Sequence, residues 1–238
     1  MSAAMRVLLI LLLSVPAAIG AGSLAAAAGS DPGATSASAK GRTPAARTLG
    51  NYSPQTGATF NDPTGGVWAK GRIINHIVKT INSTPPRSVI RMAVFSFAHP
   101  DVADALVAAY HRGVRIRLVF ADENIYDPMR RLQRLLGSSP TGRSFAVICS
   151  DSCRGISGQM HAKYFSFRRA GTSEFITMVG SVNLTRYNAE RQWNDIYTSV
   201  GDRAFYNAFG RWFGQLKNDS PVDPSYMVRT WSVTSNST

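Results

Sequence analysis

Acidic side chains are scarce in this chain: 14 Asp and Glu stand against 26 Lys and Arg in 238 residues, a formal net charge of +12. No cluster of carboxylates offers a site for a divalent ion. Such an excess of positive charge suits a partner that carries phosphate, whether nucleic acid or an anionic lipid surface, and does not by itself choose between them. Cysteine is scarcer still, with only Cys149 and Cys153, in Cys-Ser-Asp-Ser-Cys. Two Cys without a nearby His pair do not complete a tetrahedral zinc site, so no metal is expected and a small local disulfide is. Long apolar runs are missing too. The stretch Val7 to Val15, after Arg6, spans about nine to thirteen apolar residues, well short of the roughly 20 that a membrane-crossing helix needs.

That short run, with the small residues behind it, reads as a secretory signal peptide, with cleavage after Ala21 or, in an Ala-x-Ala context, after Ala28. Taking residues 1–28 as the signal predicts a secreted protein, whose two cysteines meet an oxidising compartment. Its loss removes only Arg6 and leaves a net charge near +11. Residues 29–64 are rich in Ala, Gly, Ser, Thr and Pro and poor in large apolar side chains. Such a segment cannot repay the entropy of ordering its backbone and is expected to be a flexible tail. Residues 65–238 are long enough for one domain with a proper core.

Within that domain the periodicity alternates. Ile73, Ile74, Ile77, Val78 and Ile81 recur at helical spacing and Pro85-Pro86 stops the element. Ser88 to Phe97 lacks helical spacing and suits a buried strand. Asp101 can cap a helix with Val102, Ala105, Leu106 and Ala109 on one face and Gly113 at its exit, and Val114 to Phe120 follows as a second strand. A strand, helix and strand within this length form a crossover unit of a parallel sheet. A helix at Asp127 to Leu136 follows, then strands at Phe145 to Cys149, Gln159 to Phe167 and Phe175 to Gly180. Arg168 to Glu174 connects the last two as a hairpin. After a short helix come a strand at Asp195 to Val200 and an amphipathic helix carrying Phe205, Phe209, Trp212, Phe213 and Leu216, whose aromatics read as core. The expected fold class is α/β, a mixed and mostly parallel sheet with helices on both faces.

Two short patterns carry chemistry. His161 and Lys163 are two apart on one strand, so their side chains share a face. Ser181 and Asn183 repeat that spacing in Gly180-Ser181-Val182-Asn183, with Gly180 allowing close backbone approach. An imidazole, an ammonium and two hydrogen-bonding side chains are what phosphoryl transfer without a metal needs.

These residues resemble the signature of the phospholipase D superfamily: His-x-Lys, then an Asp, then Gly-Ser-x-Asn. Val89 to Phe97, Arg112 to Ile116 and Trp193-Asn194-Asp195 extend the resemblance over about residues 70 to 215. One position departs, because Arg168 stands where the family has its Asp. The resemblance implies a phospholipase D-like fold and a phosphodiesterase needing no cofactor. A His attacks phosphorus to give a phosphohistidine, while a second His protonates the leaving oxygen and then activates water. Lys163, Ser181 and Asn183 would bind the phosphate. Asp195 would hold the tautomer of His161, with Glu190 as the alternative. Since His76, His99 and His111 belong to no second His-x-Lys, the resemblance implies a homodimer with the active site at its two-fold interface.

The leading expectation is a phospholipase D-type enzyme that releases phosphatidate from a phospholipid. The rival is a secreted endonuclease of the same superfamily, favoured by the charge; against it, the sequence shows no aromatic stacking platform interleaved with Arg or Lys, although Arg130, Arg131 and Arg134 on one helix could track a backbone. A catalytically dead relative in peripheral contact with anionic surfaces is the third reading, motivated by Arg168. His99 and Asp122, just after strand ends, are candidate pocket residues. Asn183-Leu184-Thr185 is also a glycosylation sequon, as are those at Asn51 and Asn82, but Asn183 fits the site better.

Overall fold

The computed structural model describes residues 49–223. The expected signal peptide, residues 1–28, and the expected tail over 29–48 lie outside the described residues. In chain order the elements are β1 (Gly57–Phe60), α1 (Val67–Lys70), α2 (Arg72–Asn82), β2 (Val89–Val94), α3 (Pro100–His111), β3 (Arg115–Ala121), α4 (Asp127–Leu136), β4 (Phe145–Cys149), β5 (Lys163–Ala170), β6 (Ser173–Gly180), α5 (Arg186–Arg191), β7 (Asp195–Ser199) and α6 (Arg203–Leu216).

The seven strands form one sheet in the order β1-β7-β6-β5-β2-β3-β4. The α3 and α4 crossovers make β2, β3 and β4 parallel neighbours. From β5 onward the pairing is antiparallel through β6, β7 and β1. The mixed α/β class is as expected, but the balance differs: only two of the six ladders are parallel. The cause is local. β5 and β6 pair from Ala170↔Ser173, leaving Gly171 and Thr172 as a turn far too short for a parallel crossover. Gly171 takes φ +55°, and a Cβ there would collide with Ser53 and the Tyr52 backbone.

Helices cover both faces. On one, Ile73, Ile74, Ile77 and Ile81 of α2 join α3, α4 and the inward residues of β2, β3, β5 and β6 in the larger core. Each fully buried isoleucine contributes roughly 1.5–3 kcal/mol. On the other, Phe213 and Leu216 of α6 pack with Tyr164, Val119 and Phe145, and with Cys149 and Cys153, which form the expected disulfide. Phe209 stacks on Tyr164 with centroids 5.3 Å apart. At the start of α3 the capping position belongs to His99, with Pro100 at the first turn, where its missing N–H costs nothing. Asp101 therefore lies inside the first turn rather than capping it, where its charge complements the helix dipole.

The expected tail to Thr64 is corrected at its end. Gly57–Phe60 is an edge strand on β7, and the segment before it is tied down by side chains that composition alone does not reveal. Tyr52 N–H donates to Ser83 Oγ at 2.8 Å. The Tyr52 hydroxyl meets His76 Nδ1 at 2.8 Å, and His76 Nε2 meets Thr198 Oγ1 at 2.9 Å. His76 thus bridges the segment, α2 and β7.

Burial, and then the charge of Lys79, lower the pKa of His76 from 6.5 to about 4. The unfolded chain takes up this proton as pH falls through 6.5 while the folded chain refuses it until about 4. The contribution is fully present above 6.5 and is lost towards pH 4. Melting temperature should fall between pH 6.5 and 5 in the native protein, and that slope should flatten in His76→Gln. An unchanged slope in the variant would contradict this role.

Candidate active site

Strand direction gathers the sequence motifs at one end of the sheet. The C-terminal ends of β2, β3, β4 and β6 lie there together with the starts of β5 and β7. Ligand crevices of α/β sheets form at such an end, beyond the carboxyl ends of the parallel strands.

Lys163 begins β5 opposite Val94. His161 lies in the extended segment just before the strand rather than on it, where Ala162 O still accepts from Phe95 N–H at 2.9 Å. The Lys163 ammonium lies 2.9 Å from His161 Nε2 and 3.1 Å from His161 O. Donation to Nε2 requires a lone pair there, which assigns the imidazole proton to Nδ1. Phe95 backs both groups, its ring 4.6 Å from the imidazole and 5.1 Å from Lys163 Nζ. Lys163 is only 8% exposed, and burial lowers its pKa to about 8. Burial, and then the neighbouring ammonium, also lower that of His161. The pair is a neutral imidazole beside a cation.

Ser181 follows β6. Its hydroxyl donates to Asp195 Oδ1 at 2.7 Å and accepts from Asp195 N–H at 3.0 Å. Gly180 makes this possible, since a Cβ there would collide with Asp195 O and Ile196 Cα. Within one chain Asp195 holds Ser181 and does not reach the imidazole. The sheet order explains why: β6 lies between β7 and β5, and two strand spacings are about 10 Å. Glu190 is not hydrogen-bonded to His161 either; it lines a groove with His99, Arg186 and Lys70. Asn183 is half-buried, and its Oδ1 has no donor among the described residues. The loop after it is pinned to the exit of β2, because Leu184 O accepts from the N–H groups of Ala98 and His99 at 2.7 and 2.8 Å. Asp122 is exposed, and Arg131 pairs with Asp104 at 2.6 Å. Among the described residues no three His, Cys, Asp or Glu side chains come together to hold a metal ion.

Arg168 stands apart from all of this. It is five residues along β5 from Lys163, about 16 Å at the usual strand rise. It pairs with Glu174 at 2.9 Å and lies over the Phe175 ring at 4.0 Å. The departure from the signature falls at the hairpin end of the strand, away from the imidazole.

Several supporting residues escaped the sequence reading. Phe95 becomes visible only once β2 is known to pair with β5. Asn61 fell in the segment read as tail, yet its Nδ2 donates to Ala189 O and Gln192 O at 2.8 Å, and its Oδ1 accepts from Asn194 N–H at 2.7 Å. Asn194 Oδ1 lies 3.4 Å from Ser181 Oγ. The segment after β1 thus braces the loop that carries Ser181. His161 also opens onto a groove of about 310 Å³ lined by Arg154, Gln159, Met160, Trp212 and Leu216.

Fold and site together define a phosphodiesterase-like α/β protein with one His-Lys pair. The family described as Cardiolipin synthase, PLD-like domain, matches residues 77–217, well over half of the chain, and the chain belongs to it. Its fold is similar to NucT from Helicobacter pylori, with 14% identity and a TM-score of 0.51 over 69% of this chain and 98% of that one. It is likewise similar to Nuc from Salmonella typhimurium, a phospholipase D family member, with 19% identity and a TM-score of 0.50 over 69% and 96%. No curated protein sequence matches the chain.

If Arg168 only stabilises the hairpin, Arg168→Asp should lower the melting temperature through repulsion with Glu174. The rate of phosphodiester hydrolysis should stay within about twofold of the native protein, since the exposed ion pair it removes is worth about 1 kcal/mol or less. A large loss of rate without loss of folding would tie Arg168 to the chemistry.

Proposed function

We propose that this protein is an exported homodimeric phosphodiesterase that cleaves nucleic acid through a covalent phosphohistidine on His161. The observation that carries the chemistry is the Lys163 ammonium 2.9 Å from Nε2 of an imidazole whose pKa is lowered. In the free site the ammonium occupies the lone pair of the nucleophile. A phosphodiester entering the site draws Lys163 onto a non-bridging oxygen and frees Nε2 to attack phosphorus. Asn183 holds a second oxygen, and Ser181, fixed by Asp195, supports them.

As the N–P bond forms and the P–O bond to the leaving group breaks, the leaving oxygen needs a proton. His161 of a second copy, which must start protonated while the attacking one is neutral, gives up that proton to the leaving oxygen, becomes neutral, and then takes a proton from water, whose oxygen displaces the first His161 from phosphorus. Each chain has one such histidine, so a complete site needs two chains. Exposed Ile125, Ile156, Tyr187 and Trp193 sit on the loops and short helix at this end of the sheet, an apolar rim that a second copy would cover. The signal-like residues 1–28 support export.

Nucleic acid is preferred to lipid for two reasons. The net charge is +12, and the groove beside His161 carries Arg154 as well as Met160 and Trp212. The exposed rim favours the lipid reading if it stays uncovered, because Trp and Ile at a site mouth can enter a membrane interface.

The test is hydrolysis of single-stranded DNA and of phosphatidylcholine vesicles in EDTA, alongside sedimentation of the protein. The expected outcome is cleavage of DNA by a dimer and none by His161→Ala. Ile156→Asp should dissociate the dimer and abolish turnover together. Cleavage of lipid alone would replace the substrate, a fully active monomer would overturn the shared site, and an inert dimer on both substrates would favour a binding-only protein.

A further inference from the structure

The segment before residue 77 lies outside the part of the chain that the family matches, yet together with Lys79 it builds a groove. Tyr52, Thr59, Trp68, Arg72, His76 and Lys79, together with Asn75, line a depression of about 420 Å³. Trp68 is 80% exposed, which is unusual for an indole that has a concave neighbour to pack into. Its position is not accidental looseness, since the ends of α1 are held by backbone hydrogen bonds: Lys70 N–H donates to Gly66 O and Gly71 N–H to Val67 O, both at 3.0 Å. Tyr52 forms the opposite side and is fixed by His76. The Lys79 ammonium stands 5.9 Å from the Tyr52 ring centroid. Arg72 reaches Phe60 O at 3.3 Å through one nitrogen, leaving its other donors unassigned. Asp62, whose pKa is lowered chiefly by hydrogen bonds from Thr64 and least by the charge of Arg72, is the acid to weigh against the two cations.

This groove continues towards the active site. Asn75 lines both it and the neighbouring groove, which contains Lys70, His99 and Arg186. His99 N–H donates to Leu184 O, and Leu184 follows Asn183 directly. In the second groove Asp101 and Glu190 stand beside Lys70 and Arg186, so the positive charge and the exposed ring are concentrated in the first.

An exposed indole and a tyrosine with an arginine and a lysine between them match the chemistry of a flexible polynucleotide. The bases stack on the rings and the phosphates meet the cations. We infer that the groove of Trp68, Tyr52, Arg72 and Lys79 binds a nucleotide of single-stranded nucleic acid at a distance from the scissile phosphate. This inference rests on the nucleic-acid reading of the active site. It gives this chain a hold on long strands that a dinucleotide cannot use.

The test compares the full-length protein with Trp68→Ala and with the double variant Arg72→Ala/Lys79→Ala. The probes are bis(p-nitrophenyl) phosphate, a dinucleotide, a 20-nucleotide oligothymidine and vesicles of phosphatidylcholine with phosphatidylglycerol. Binding of the 20-mer should weaken about tenfold in Trp68→Ala, at the lower end of what losing one base–aromatic stack costs. The double variant should also lose part of the salt dependence of binding. Hydrolysis of the two small substrates should be unchanged in both. Equal affinity of all three proteins for the 20-mer would overturn the groove while leaving the nuclease reading intact, provided the 20-mer is still cleaved. Loss of vesicle binding with unchanged 20-mer binding would assign the groove to a lipid surface and overturn it equally. If the small substrates are cleaved but no protein cleaves or binds the 20-mer, the nucleic-acid reading itself fails.

Discussion

The contact between Lys163 Nζ and His161 Nε2, 2.9 Å long, sets what the rest of the structure has to provide. A protonated amine pressed against an imidazole is favourable only if the imidazole is neutral, and a nucleophilic histidine must be neutral. In the proposed reaction the same neighbour then serves the phosphate. Burial of Lys163 against Phe95 and the start of β5 lowers its pKa to about 8, so it remains mostly charged at neutral pH. The surrounding sheet keeps an amine and an imidazole in register where water would otherwise separate them.

That register depends on strand order. β5 lies between β2 and β6, so His161 and Lys163 have Phe95 on one side and, on the other, the end of β6 that leads into Ser181 and Asn183. Antiparallel pairing from β5 onward brings the start of β5, the end of β6 and the start of β7 to the end of the sheet where the parallel strands finish. Gly180 lets β7 approach closely enough for Asp195 to hold Ser181, and Asn61 and Asn194 brace the same loop from behind. Of these supports only Asp195 carries charge, and its carboxylate is bonded to Ser181; among the described residues Lys163 has no ion pair with a carboxylate.

Much of this was legible in the sequence. Helical spacing in Ile73 to Ile81 and the apolar pattern of Asp127 to Leu136 located α2 and α4, and the paired spacing of His161 with Lys163 and Ser181 with Asn183 marked the candidate site, whose motifs the fold brings to one end of the sheet. What escaped has a common physical cause: it depends on which strands are neighbours. Asp195 was expected on the imidazole because it follows the motif, but within one chain β6 stands between them. Arg168 looked like a damaged signature until its distance along β5 showed that it belongs to the hairpin. Residues 57–60 looked like tail because their composition is poor in large apolar side chains. Their order comes from β7 and from single hydrogen bonds of Tyr52 and Asn61, which leave no periodic trace.

The central claim is a covalent bond between His161 and phosphorus. The most direct measurement is to mix the protein with a labelled single-stranded oligonucleotide, quench within the first turnover under alkaline conditions, and search the protein for a nucleotide adduct by mass spectrometry. The account predicts an adduct on His161 that is stable to alkali and lost in acid, as a phosphoramidate bond to histidine must be. Turnover of the oligonucleotide with no adduct at His161, or an adduct on another residue, would contradict it.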